Sequence, residues 1–310
     1  MNINRHNFSR RAKRFVVNNL PIPIVNRRLD KALLRQEFKD EFQLIDKSST
    51  NTNTNTNTNT HPSIIHFSIN KAATQYVQGV LKEAVGEVGM KHINLPGIGF
   101  RTDMPYLDQI TAQEMQQYQY LFRDTGYLYS VFGGMVENIP HLEKFKIVLF
   151  IRDPRDILVS DYFSTAHSHV LPSKYSNKRG EFKEKRRITL QQSIDDYAIQ
   201  ECDTFSHVFE RYIEHLISSE QPYHLTRYED MILDFDGWLY ELVDYCEIEL
   251  SDTARQTLIN NHSKRKPKGE NKHKHYRKGK SGDYLEKLKP ATIDYINSKF
   301  EPYLKEFGYQ

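Results

Sequence analysis

The chain is marked by short unbroken apolar runs, each followed by a stretch whose apolar residues recur at helical spacing. Ser63–Ile69 is one such run, and Lys146–Ile151, reading KIVLFI, is the sharpest. Continuous apolar character of this length predicts strands buried on both faces. After the first run comes Asn70-Lys71-Ala72-Ala73-Thr74, then a helix pattern with Tyr76, Val77, Val80, Leu81, Ala84 and Val85 on one face. After the second, Arg152 closes the strand, Asp153 supplies an N-cap acid and Pro154 takes the first helical position. Ile157, Leu158, Tyr162 and Phe163 form that helix's apolar face. A third strand is predicted at Tyr223–Thr226, before Arg227-Tyr228-Glu229-Asp230. Further helices are predicted over Leu29–Leu44, Ile194–Leu216, Phe235–Cys246 and Pro290–Phe307. Strands alternating with helices predict an α/β fold: a three-layer sandwich with a central parallel sheet and helices on both faces.

Asn51–Thr60 interrupts this pattern with five Asn-Thr repeats that have nothing to bury, and reads as a linker or long loop. It divides the 310 residues into an N-terminal appendage, 1–60, and one domain, 61–310. The hydrophobic share is only 38%, but 19 Tyr and 17 Phe suffice for a substantial core. A net charge of +3 conceals two basic runs: residues 1–35 hold nine Lys/Arg against Asp30, and Lys264–Lys280 hold nine against Glu270. Runs of this kind point to a polyanionic partner, whether nucleic acid, membrane surface or a multiply phosphorylated small molecule. Cys202 and Cys246 have no metal-type spacing and make no disulfide framework, which favours a reducing cytoplasm. No apolar run reaches the ~18 residues that span a bilayer, and the N-terminus lacks the apolar core of a secretion signal. The expectation is a cytoplasmic protein with no integral membrane association.

The chemistry gathers at the two strand-to-helix junctions. At Lys71-Ala72-Ala73-Thr74-Gln75-Tyr76, small residues let main-chain N–H groups approach a ligand at a helix N-terminus. Lys71 adds a point charge and Thr74 a hydroxyl, making a P-loop-like strand–loop–helix phosphate site without any GxxxxGK[ST]. At the second junction Arg152 stands at the strand's carboxyl end and Ser160 two turns into the helix, positions from which both can reach one phosphate. Arg155 and Asp156 between them read as solvated surface charges. Lys174–Arg187, with seven basic residues, reads as a mobile solvated loop. His273-Lys274-His275, in a basic loop without an acid or Cys nearby, does not read as a metal site.

Together these segments resemble sulfotransferases that use 3'-phosphoadenosine 5'-phosphosulfate (PAPS). Lys71-Ala72-Ala73-Thr74-Gln75-Tyr76 is similar to the family's first motif, Lys-Ser-Gly-Thr-Thr-Trp, with Ala73 where Gly is usual and Tyr76 in place of the adenine-stacking Trp. Arg152 and Ser160 match its second motif, Arg-Asp-Pro onward to a Ser on the helix. Arg227-Tyr228-Glu229-Asp230 resembles its Tyr-Glu-Asp segment, whose Tyr lies near the adenine. Arg277-Lys278-Gly279 with Gly282-Asp283-Tyr284 resembles its C-terminal Arg-Lys-Gly-x-x-Gly-Asp-Trp. The four occur in family order. A Thr-Ser-Phe nucleotide segment has no clear counterpart, His262-Ser263 standing nearest.

The resemblance implies transfer of a sulfuryl group from PAPS to a hydroxyl or amine of a small-molecule acceptor, without metal and without nucleic acid. It assigns Lys71 to the 5'-phosphate and bridging oxygen, and Ala73, Thr74, Gln75 and Tyr76 to the 5'-phosphate and adenine end. Tyr228 goes to the adenine. Arg152, Ser160, Arg277, Lys278 and Gly279 go to the 3'-phosphate. Cytosolic members take their base from a Lys-Thr-His-Leu-Pro segment, but the corresponding residues 126–134 contain no His. Other members carry a Glu some twenty residues beyond the first-motif basic residue; His92 stands 21 residues after Lys71 and is the expected base, with Asp103 and Tyr129 behind it. The rival readings are a P-loop-like nucleotide kinase, which should show a full Walker A and a Mg²⁺-binding acid, and a catalytically weak polyanion-binding member of the same fold.

Overall fold

A computed structural model describes residues 31–47, 57–102, 104–172, 178–265, 269–271 and 277–310. Residues 1–30, most of the Asn-Thr repeat, Asp103, Lys174 and His273–His275 lie outside them. A helical stretch at 31–37 leads into α1 (Lys39–Lys47). The chain then runs β1 (Ile64–Ser68), α2 (Thr74–Glu87), β2 (Lys91–Ile93), α3 (Leu95–Arg101), β3 (Tyr127–Phe132), β4 (Lys146–Ile151) and α4 (Pro154–Phe163). It continues through α5 (Lys178–Thr189), α6 (Ile194–Tyr212), β5 (His224–Arg227), α7 (Tyr228–Leu233), α8 (Phe235–Tyr245), α9 (Asp252–Arg265) and α10 (Pro290–Glu306).

Among the described residues five strands form one sheet, ordered β2-β3-β1-β4-β5, and every pairing is parallel. Side chains alternate between the two faces, as the strand period requires. Ile65, Phe67, Ile147, Leu149 and Ile151 enter one core with α4, α6 and α10. Ile64, Val148 and Phe150 enter another with α2, α8 and α9. The architecture is therefore the α/β three-layer sandwich that the sequence predicts. Its centre is the β1–β4 pair, where the order of strands reverses, and in such sheets ligands bind beyond the carboxyl ends at that point. Lys71 follows β1 and Arg152 ends up against it from β4.

Several regions depart from the sequence reading. β2 and β3, unread as strands, extend the sheet beyond β1. Residues 178–189 are a helix, not a solvated loop, because their cations have fixed acceptors. Lys178 donates to the Met104 carbonyl at 3.2 Å, Arg186 Nε to the Thr165 carbonyl at 3.0 Å, and Lys185 pairs with Glu201 at 3.1 Å. The last Asn-Thr units also have partners. Asn57 donates to the Gly126 carbonyl and Asn59 to the Val88 carbonyl, both at 2.7 Å. Ahead of the repeat, Glu41 accepts from the Asn94 amide at 2.8 Å, and Leu34 and Phe38 pack on Ile98. Among the described residues no helix is long and apolar enough to cross a membrane.

Candidate active site

The loop after β1 is built by two left-handed residues, Lys71 at φ 77° and Ala73 at φ 61°. An L-residue in that region costs roughly 1–2 kcal/mol, least where the side chain is small. Ala73 is also the N-cap of α2 and offers no side-chain cap. The helix does not need one: each fully buried Val or Leu on its inner face contributes about 1.5–3 kcal/mol, more than the ~1 kcal/mol of a cap. Its first N–H groups, at Thr74 and Gln75, are thereby left for another acceptor among the described residues, while Tyr76 donates to the Ala73 carbonyl at 2.8 Å. Lys71 is mostly buried and donates from Nζ to Ser164 Oγ at 2.7 Å, with Asp161 Oδ1 at 3.6 Å. Burial lowers its pKa and Asp161 pulls it back.

Arg152, 7% exposed, closes β4 and faces this loop. Its Nη1 donates to the Lys71 carbonyl at 3.2 Å; its Nη2 donates to the Lys280 carbonyl at 3.2 Å and to Asp156 at 3.4 Å. The guanidinium lies over the Tyr228 ring at 4.4 Å, while buried Nε has no hydrogen-bond partner among the described residues. Asp156 is 1% exposed, so the solvated-charge reading fails. Burial pushes its carboxyl up, and Arg152 and the amides of Gly282 (2.8 Å) and Tyr284 (3.0 Å) oppose that. Arg155 is not a free surface charge either: it pairs with Asp153 at 2.7 Å and donates to the Tyr309 carbonyl at 2.9 Å. The helix start itself follows the sequence, with Asp153 as N-cap accepting from the Arg155 amide.

The C-terminal segment completes the cluster. Arg277 lies over the ring of Phe163, 4.4 Å away on α4, the helix of Ser160. Arg277 pairs with Glu270 and Asp283, and Lys278 with Asp283 and Glu286. Gly279 and Gly282 turn this loop at φ 66° and 75°, conformations that a side chain would strain. Beside the first turn of α2 lie the aromatics. Tyr76 shares a 2.7 Å hydrogen bond with His262, which stacks on Phe235 at 4.0 Å, and Arg265 lies 5.0 Å over the Tyr76 ring. Tyr228 is buried and carries Arg152 on its face.

The structure therefore brings Lys71, Arg152 and the 277–284 segment together around α4, which carries Ser160, with Ala73, Thr74, Gln75 and Tyr76 alongside. His92 belongs to a different set of contacts. On β2 its Nε2 lies 3.3 Å from the Ser130 carbonyl, which also accepts from Gln78 at 2.6 Å, while Ser130 Oγ meets His66 at 2.9 Å. No hydrogen bond joins His92 to Lys71 or Arg152 among the described residues. Burial lowers His92 to about 4 and His66 to about 3. Tyr129 is fully buried and structural: it donates to the Leu121 carbonyl and accepts from the Arg123 amide. Asp161 and Ser164, the partners of Lys71, were missed in the sequence, although Ser164 stands one turn beyond Ser160 on the same face.

The family described as "Sulfotransferase domain" matches residues 135–308, more than half of the chain. The fold is similar to that of mouse sulfotransferase SULT7A1 complexed with PAP, at TM-score 0.52 and 15% identity over 79% of this chain and 85% of that one. Retinol dehydratase in a complex with retinol and PAP aligns at TM-score 0.45 and 17% identity, over 79% and 82%. Sulfotransferase STF9 from Mycobacterium avium aligns at TM-score 0.45 and 12% identity, over 94% and 88%. No curated protein matches the chain.

Proposed function

Because the chain belongs to the sulfotransferase-domain family, we propose that it moves a sulfuryl group from PAPS to a hydroxyl or amine of a small-molecule acceptor and releases adenosine 3',5'-bisphosphate. The observation that carries this reading is Arg152. It contacts the Lys71 carbonyl, the Lys280 carbonyl and the Tyr228 ring, so three separate motifs meet at one guanidinium. This matters because Lys71–Tyr76 precedes the matched residues 135–308. The group fits what is there: a buried Arg152 Nε without a partner among the described residues, uncapped amides at α2, and cations around α4.

When bound, PAPS supplies an activated sulfuryl group on its 5'-phosphate. Lys71 Nζ would balance the charge that gathers on that phosphate as the bond to sulfur breaks. The Thr74 hydroxyl and the amides from Ala73 to Tyr76 would hold the same phosphate. Arg152, Ser160, Arg277, Lys278 and the Gly279 amide would bind the 3'-phosphate, which adenylyl sulfate lacks. Asp283, Glu270 and Glu286 keep Arg277 and Lys278 oriented until an anion joins them. Tyr76, fixed by His262, would form a wall of the adenine site with Tyr228 beneath Arg152. A cytoplasmic setting accords with free, buried Cys202 and Cys246, whose thiols burial pushes up to about 12.

Calorimetric titration tests the reading. Adenosine 3',5'-bisphosphate should bind at least about tenfold more tightly than 5'-AMP or ATP, a difference of roughly 1.4 kcal/mol. Failure to bind it, or a preference for ATP with Mg²⁺, would replace this function with the kinase alternative.

A further inference from the structure

We propose that Asp108 is the catalytic base, taking the proton of the acceptor hydroxyl at the carboxyl ends of β1 and β3; this rests on the transferase reading above. Asp108 lies in the connection between α3 and β3. A Cβ on Gly134 would stand 3.5 Å from its Oδ2, so the carboxyl lies beside the main chain that leaves β3. A Cβ on the adjacent Gly133 would stand 2.9 Å from Asn70, the residue before Lys71. Asp108, the end of β3 and the Lys71 loop thus follow one another along the carboxyl edge of the sheet. From α6, Tyr212 donates to the carbonyl of Ser68, the last residue of β1, at 2.8 Å.

The carboxyl is held but not neutralised. Arg211 donates to the Asp108 main-chain carbonyl at 2.6 Å, while its other side is paired with Glu137 at 2.6 Å. Oδ1 is buried with no hydrogen-bond partner among the described residues. Arg211 and Tyr212 of α6 and Tyr106 of its own segment are the charged and titratable groups that face it. Burial raises its pKa to about 6, against the pull of its own amide, Arg211 and the amides of Gly133 and Gly134. A carboxylate with that affinity for a proton is matched to general-base work near neutrality. His92, lowered to about 4, is a weaker base.

In the transfer step the acceptor O–H bond breaks and its proton passes to the Asp108 carboxylate. The acceptor oxygen bonds to sulfur. The sulfur–oxygen bond to the 5'-phosphate breaks, its electron pair stays on the phosphate, and Lys71 Nζ stands beside that charge.

Asp108→Asn preserves shape and one acceptor oxygen, so a merely structural role should survive it. The test compares the unsubstituted protein, Asp108→Asn and His92→Asn by bisphosphate calorimetry and by thermal unfolding. Transfer from labelled PAPS to 2-naphthol, a primary alcohol and water is followed at saturating PAPS. Carbon-13 NMR of labelled aspartate follows the carboxyl in the bisphosphate complex. We expect Asp108→Asn to keep bisphosphate affinity and melting temperature while turnover falls roughly 10²–10⁴-fold. The acid limb of kcat near pH 6 and a carboxyl signal titrating there should both vanish in that variant. If Asp108→Asn keeps its turnover, if only His92→Asn loses it, or if no aspartate titrates near pH 6, the assignment fails while the transferase reading stands. If the unsubstituted protein binds the bisphosphate but transfers to none of the three acceptors, the assignment also fails. If it does not bind the bisphosphate, both readings fail together. If Asp108→Asn does not fold, the NMR titration and pH profile of the unsubstituted protein decide the matter: a limb and a signal near pH 6 support Asp108, and their absence overturns it.

Discussion

Arg152 donates to the main-chain carbonyl of Lys71 at 3.2 Å, bridging the carboxyl ends of two adjacent strands. The side chain that ends β4 therefore sets the loop that follows β1. Lys71 is held in a left-handed conformation without glycine at its position, and this bond is one of the restraints that keep it there.

Arg152→Ala should lower both affinity and stability. Asp156, whose side chain is fully buried, would lose its cation, and breaking such a buried pair costs about 3–5 kcal/mol. Denaturant unfolding should show a loss of that order. Calorimetry should show the preference for adenosine 3',5'-bisphosphate over 5'-AMP reduced; an unchanged preference would place the 3'-phosphate elsewhere.

Lys71→Ala should abolish turnover while bisphosphate affinity falls only modestly, because the amides of α2 remain. Lys71 is held by Ser164 and Asp161, so its removal leaves Asp161 without that cation. Single-turnover assays beside calorimetry separate the two effects, and retained turnover would remove Lys71 from the chemistry.

Ala73→Gly should raise stability or leave it unchanged, unlike most Ala→Gly changes in or beside helices. At φ 61° glycine relieves roughly 1 kcal/mol of crowding, offset in part by its freer unfolded chain. Thermal unfolding of Ala73→Gly against Ala84→Gly, inside the same helix and buried, should show opposite or clearly unequal shifts.

Acidification should destabilise the protein before its ordinary carboxylates titrate. His66 and His92 have folded pKa values of about 3 and 4, below the unfolded value near 6.5. Depressed folded pKa values mean that the unfolded chain binds protons first, so this contribution is complete above about pH 6.5. It is lost as pH falls toward 4, by up to about 1.4 kcal/mol per pH unit for each histidine. Asp108, raised to about 6, and Glu41, Asp156 and Glu229, which burial also raises, work in the opposite direction in the more acidic part of that window, whereas His224, which burial lowers, adds to the histidine contribution. Urea unfolding at pH 7, 6 and 5 should show the decline, and His66→Asn should flatten it.

The sequence made β1 and β4 legible because both are buried on two faces and read as unbroken apolar runs; Lys146–Ile151 has the bounds read for it. β2 is three residues long, too short for any period, and β3 carries Ser130 and two tyrosines within its run. Arg152 and Ser160 were legible as a motif. Asp156 was not, because its stabilising partners lie 126 and 128 residues along the chain and include main-chain amides, which leave no trace in residue type. His262 stood nearest to the family's nucleotide segment, but its side-chain bond to Tyr76 was not legible across 186 residues. The basic run before Arg187 misled for a related reason: several of its acceptors are carbonyls, which composition does not reveal.

The amides of Gly282 and Tyr284 on the Asp156 carboxylate bear on time as well as place. Under the proposed function, a nucleotide walled in by residues 277–284 would leave only after those bonds to α4 open, so the anchor would govern residence time more than equilibrium affinity. Where chemistry is fast, the release of desulfated nucleotide would then become the slow event of the cycle. A carboxylate that touches no substrate would then work as an escapement, setting how often the enzyme can turn over.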